Sequence, residues 1–117
     1  MSALTMYIGD DWIFPCTYKD SSGNPIDLTG YEPGADLYVA FNQTPILLTV
    51  ADGTAALEDQ TTSTGQFTLS VPRAQTVDFD EDAAGKGTRL HIYLIDPSGL
   101  RDTKGVIPIY VLDGRGA

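Results

Sequence analysis

Apolar residues in this chain recur at every second position in short bouts, and nowhere do they keep the spacing of a helix for more than about two turns. Leu4, Met6 and Ile8 alternate with other residues, as do Trp12, Phe14, Cys16 and Tyr18, then Leu37, Val39 and Phe41, then Phe67, Leu69 and Val71. In a strand, successive side chains point to opposite faces, so this period puts one face in a core and leaves the other outside it. A chain without a long amphipathic helix has no helical layer to offer and buries its apolar faces by packing sheet on sheet.

Turn chemistry separates the bouts. Gly9-Asp10-Asp11 divides the first two. The stretch Lys19-Asp20-Ser21-Ser22-Gly23-Asn24-Pro25-Ile26-Asp27-Leu28-Thr29-Gly30 reads as a turn, a very short extended piece over Ile26-Asp27-Leu28, and a second turn. Asp20 and the serines can bond their own backbone, Gly23 supplies a positive φ, and Pro25 makes Asn24 extended. Tyr31-Glu32-Pro33-Gly34 is a turn into the strand Ala35–Phe41, and Asn42-Gln43-Thr44-Pro45 joins that strand to Ile46–Val50. Asp52-Gly53 turns into Thr54–Glu58, and the polar loop Asp59–Gly65 leads to Gln66–Val71. Pro72–Val77 is the one segment with a plausible helical turn. Thr88–Asp96 and Asp102–Leu112 flank Pro97-Ser98-Gly99, and residues Leu90, Ile92 and Leu94 face opposite to His91, Tyr93 and Ile95, so both faces of that strand are expected to be partly covered.

About seven to nine short strands at intervals near 8–12 residues predict an all-β fold, an immunoglobulin-like antiparallel β-sandwich, with a jelly roll or small barrel as the other architectures of this pattern. The length of 117 residues suits a single sandwich domain over residues 1–117. Pro15 lacks a donor, which places the Trp12–Tyr18 strand at a sheet edge or at a bulge.

Seven basic against 16 acidic residues give a net charge of −9, a surface that repels phosphate backbones, so nucleic acid is not expected as a partner. One cysteine, Cys16, forms no internal bridge, which points to cytoplasmic synthesis. The first residues carry neither a basic region nor an apolar run of secretory length, and no stretch approaches the ~20 apolar residues of a membrane-spanning helix, so no membrane partner is expected.

Little here resembles catalytic equipment. His91 is the single histidine and lies mid-strand, where a packed or cross-strand role outweighs that of a general base. Cys16 shares its apolar face with Trp12 and Phe14, which describes an inert thiol. The Asp78-x-Asp80-x-Asp82 spacing imitates the start of a calcium loop, but Ala83 stands where that loop needs Gly, and Arg89 where it needs a bidentate Glu. A weaker loop site would draw on Asp78, Asp80 and Asp82, or on Asp20, Asn24 and Asp27; solvated acidic loops are the simpler reading. Gly85-Lys86-Gly87-Thr88 lacks the strand and helix of a phosphate cradle. A carbohydrate platform would need exposed aromatics, for which Trp12, Tyr31, Tyr38 and Tyr93 are the candidates, although core filling accounts for most of them. No residue is assigned a catalytic, cofactor-binding or metal-ligating role, no cofactor is expected, and the chain is not expected to be an enzyme. A carbohydrate- or calcium-binding sandwich module is the alternative reading.

The order Gly9-Asp10-Asp11-Trp12, an alternating strand, then Lys19-Asp20-x-x-Gly23-x-Pro25-Ile26-Asp27-Leu28-Thr29-Gly30 resembles the opening of a small tailed-bacteriophage module, whose relatives are the amino-terminal domains of baseplate upper proteins and related immunoglobulin-like virion domains. Thr64-Gly65-Gln66-Phe67-Thr68-Leu69 and Ile95-Asp96-Pro97-Ser98-Gly99-Leu100 are similar in kind and order to later parts of that family, so the likeness spans most of the chain. It departs at Lys104-Gly105-Val106-Ile107-Pro108, where the family often has a Gly before its last strand, and no fibre or coiled-coil pattern follows. The resemblance implies a non-catalytic virion component, made in the host cytoplasm, that docks on other virion proteins at the neck, tail, baseplate or capsid in multiple copies on a symmetric assembly. Docking through sheet edges would use the Met1–Ile8 strand or the Gly105–Leu112 strand, with Pro15 and Pro108 discouraging pairing at their own positions.

Overall fold

The computed structural model describes residues 4–39, 44–79, 81–82 and 87–112. Among the described residues, eight strands, β1 (Leu4–Tyr7), β2 (Trp12–Thr17), β3 (Glu32–Tyr38), β4 (Ile46–Leu48), β5 (Ala55–Leu57), β6 (Gln66–Val71), β7 (Arg89–Ile95) and β8 (Arg101–Leu112), accompany one short helix, α1 (Arg73–Thr76). They form a five-stranded sheet of order β1-β8-β7-β3-β4 and a three-stranded sheet of order β2-β6-β5. This is the all-β sandwich of two packed sheets that the period of two anticipates.

The alternation does what it promises. Phe67, Leu69 and Val71 of β6 and Leu90, Ile92 and Leu94 of β7 are buried against one another's sheets, joined by Met6, Leu37, Ile107, Ile109 and Val111. Trp12, Phe14 and Cys16 pack against this core from β2 but stay half-buried, because β2 is an edge strand. Pro15 therefore sits where its missing donor is harmless. Tyr18 N–H donates to the Gly65 carbonyl at 2.8 Å, and the strand's alternation then turns the Phe14 and Cys16 amides toward β6 and the Pro15 nitrogen outward.

Five expectations need correction. The pairing is not wholly antiparallel: β1 runs parallel to β8, with Leu4 opposite Ile109 and Tyr7 opposite Leu112. This pairing buries Met6 and covers the Ile109–Leu112 end of β8, so that end of the last strand is not a free edge. Ile26-Asp27-Leu28 is not a strand: pairing here stops at one antiparallel bridge, Lys19 with Pro25, closed by the Ile26 amide on the Tyr18 carbonyl, and the Leu28 amide turns to the Gln60 side chain. Glu32, Pro33 and Gly34 belong to β3 rather than to a turn; β4 pairs only with Ala35–Leu37, so Pro33 lies beyond the end of that ladder. The strand from Ile46 stops at Leu48, since Thr49 and Thr54 close a turn on each other in which the Thr49 amide donates to Thr54 Oγ1 at 2.9 Å. Pro72 caps the helix from outside rather than opening it. The expected chain path through Ala40–Gln43 lies outside the described residues.

Two of the turn stretches singled out in the sequence have clear structural work. Asp11 Oδ1 accepts the Arg73 amide at 2.7 Å, and fully buried Thr76 donates to the Asp10 carbonyl at 2.7 Å while accepting the Gly9 amide, so Gly9-Asp10-Asp11 fastens α1 to the β1–β2 turn. In the longer stretch, Asp20 Oδ1 takes the amides of Ser22 and Asn24, Gly23 has φ of 86°, and Asp27 Oδ1 takes both the amide and the hydroxyl of Thr29. These turns present Leu28, fully buried, to the core. The Gln60 amide locks them in place: its Oε1 accepts from the Leu28 and Gly65 amides at 2.9 Å each, and its Nε2 donates to the Glu58 and Gln66 carbonyls at 3.0 Å each.

Candidate functional site: the outer sheet face and an open side of the sandwich

His91 lies on the outer face of the five-stranded sheet, opposite Asp36 and Val106, and its ring meets Tyr38 edge-on with centroids 4.8 Å apart. Neither Ser nor Cys approaches it as a nucleophile among the contacts described, and Cys16 is on the other sheet. Burial pushes the Cys16 thiol up to about 12, leaving almost no thiolate near neutral pH.

The candidate calcium ligands are not brought together. Asp82 is buried, and its Oδ2 accepts the Gly87 and Thr88 amides and the Thr88 hydroxyl, whereas Asp78 is exposed beyond α1 and Asp80 lies outside the described residues. Asp20 and Asp27 each serve a separate local turn. Among the described residues no group of three or more His, Cys, Asp or Glu is placed to hold a metal ion. Ala83 and the Gly85-Lys86 part of the glycine-lysine stretch lie outside the described residues as well.

The aromatic candidates are occupied in packing. Trp12 stacks on Phe14 at 5.6 Å, and Tyr31 packs against the core. Tyr93 is buried on the outer face because Arg101 covers it, the guanidinium carbon 3.8 Å above its ring centre, while Arg101 Nη2 reaches Asp36 Oδ2 at 2.5 Å. Burial raises the Tyr93 phenol despite the opposing Arg101 charge. Gly34, directly across from Tyr93, is what lets that ring lie flat: a Cβ at Gly34 would come within 2.7 Å of the Tyr93 Cε1. The sequence does not show this Gly34–Tyr93–Arg101–Asp36 group: Gly34 reads there as a turn residue, and only its place inside β3 marks the close approach.

Two surfaces stand out. On the outer face, β1 and β8 present Tyr7, Val106 and Tyr110, each more than a third exposed, and Leu47 of β4 lies across the same face. On the opposite side of the sheet, among the described residues, the sandwich is open between β2 and the Arg101–Pro108 part of β8, with which Leu4–Tyr7 of β1 do not pair. A cleft of about 370 Å³ enters there, floored by Phe14, Phe67, Ile92, Leu94 and Ile107, with Lys19 and Lys104 at its rim. A β-bulge between Ile92 and Tyr93, opposite Lys104 and Gly105, shapes this wall. Lys104 Nζ bonds Asp102 at 2.6 Å and hangs 5.1 Å from the Tyr18 ring centre, spanning the two sheets.

No family model matches the chain, and no curated protein matches it either.

Proposed function

We propose that this protein is a non-catalytic structural component of a bacteriophage particle that docks on other virion proteins. The observation that carries the docking reading is that Tyr7, Val106 and Tyr110 are exposed on the same outer face of adjacent strands, since exposed apolar side chains gathered on one face mark contact surfaces. The phage part of the proposal rests on the sequence resemblance carried by Gly9-Asp10-Asp11 and by Asp20 through Gly30, residues that also build turns of the fold. Copies at repeated sites of a symmetric assembly, at neck, tail, baseplate or capsid, follow from the same reading.

Removing residues 1–8 is a poor test of docking, because it takes buried Met6 and Ile8 out of the core and unpairs β8. A better test is the double variant V106E/Y110E, confined to the outer face, scored for incorporation into particles made by cells that carry the gene. Loss of incorporation with an unchanged unfolding midpoint supports the reading; full incorporation refutes docking through this face.

A further inference from the structure

We propose that the cleft on the open side of the sandwich is a binding site for an amphipathic carboxylate, an apolar chain ending in one anionic head, its chain among Phe14, Phe67, Leu94 and Ile107 and its head between Lys19 and Lys104. The site is distinct from the outer docking face and does not depend on it.

The volume of about 370 Å³ lies in the range of roughly 300–1,000 Å³ typical of small-molecule sites, which are mostly apolar with a few placed polar groups. Charge selects the head. The protein carries net −9, yet among the described residues the cleft is lined by two lysines and by no aspartate or glutamate. Lys19 is exposed and in no ion pair among the described residues. Lys104 is held at the rim by Asp102, whose side chain is 69% exposed, so an incoming carboxylate can replace it while Asp102 returns to water at little loss.

The backbone argues against an added strand as the occupant. The Pro15 nitrogen faces outward from β2. Ile109 N–H donates to the Thr88 carbonyl, so alternation turns the Pro108 nitrogen away from β7, toward the same gap. Both strands bordering the cleft thus lack a donor at a position a new strand would need. An occupant without a backbone ladder, entering chain-first, meets no such deficit.

The test is an NMR titration of the whole chain with dodecanoate, below its micelle threshold, beside dodecanol and dodecyltrimethylammonium as probes of equal chain length. The proposal expects saturable one-to-one binding of dodecanoate that shifts the Ile92, Leu94 and Ile107 methyls and leaves Leu47 and Val106 still. Dodecyltrimethylammonium should bind about tenfold more weakly or worse. The variant K19E/K104E should weaken dodecanoate by about tenfold or more, and K19E alone, at an exposed residue, should weaken it measurably should the double variant not fold. No saturable binding, equal affinity for the two charged probes, indifference to K19E, or shifts confined to the outer face would each overturn the proposal. So would tighter seating of an extended leucine- and glutamate-rich peptide in the same cleft. None of these results bears on particle incorporation, which reads the opposite face.

Discussion

Replacing Gln60 by Ala removes four hydrogen bonds made by one side chain, and the structure says which of them matter. The Glu58 carbonyl is in an exposed segment and finds water, and the Gln66 carbonyl keeps the Glu58 amide as a partner. The Leu28 and Gly65 amides are different: both are in buried residues and both lose the Gln60 Oε1 acceptor. An unsatisfied buried donor costs about 1–3 kcal/mol, so two of them at the lower half of that range give a loss of about 2–4 kcal/mol. That is a large part of the ~5–15 kcal/mol expected for a domain. With a urea slope of about 1.5 kcal/mol/M, the midpoint should fall by about 2 M. Gln60→Glu separates the two halves of the amide, since it keeps an acceptor for Leu28 and Gly65 but sets a second oxygen against two carbonyls; it should also destabilise at neutral pH. Gln75→Ala, at an exposed helix position, is the control and should change stability by less than ~0.5 kcal/mol. A Q60A midpoint within error of the Q75A midpoint would refute the claim that this amide holds the Leu28 turn on the core.

Other consequences are as direct. Asp27, Asp59 and Asp96 are held below the usual carboxylate range, first by the hydroxyls of Thr29, Thr61 and Ser98 and then by backbone amides. A carboxylate depressed on folding adds stability above its unfolded value of ~3.9 and loses it as pH falls through the folded value, so urea midpoints should decline below about pH 4, and less steeply in D27N/D59N/D96N. Gly34→Ala should destabilise by about 1–3 kcal/mol through collision with Tyr93, and by less in a Tyr93→Ala background, a coupling that a double-mutant cycle in urea measures. The Cys16 thiol should react slowly with a disulfide reagent at about pH 8 in the folded protein and rapidly in denaturant; equal rates would contradict its burial.

The sequence shows faces better than partners. Alternation in Gln66–Val71 and Thr88–Asp96 identifies the buried side of β6 and β7, and Pro15 marks β2 as an edge, because these are properties of a residue and its near neighbours. The parallel pairing of Leu4–Tyr7 with Ile109–Leu112 is fixed by contacts about a hundred residues apart and leaves no local trace. The same holds for Gln60, which reads as one more polar loop residue until Leu28 and Gly65 arrive beside it. Both candidate surfaces are of this kind: Tyr7, Val106 and Tyr110 become a group only when β1 lies on β8, and Lys104 meets Tyr18 only across the gap between two sheets. The all-β sandwich was therefore readable, while the two candidate surfaces were not.

Quantitative mass spectrometry of gradient-purified particles, from cells that express the gene during phage production, tests the structural role most directly. The account predicts peptides of this chain at a fixed ratio to the other particle proteins, retained through high-salt washing. Peptides found in the cell lysate and lost from the washed particles would contradict it.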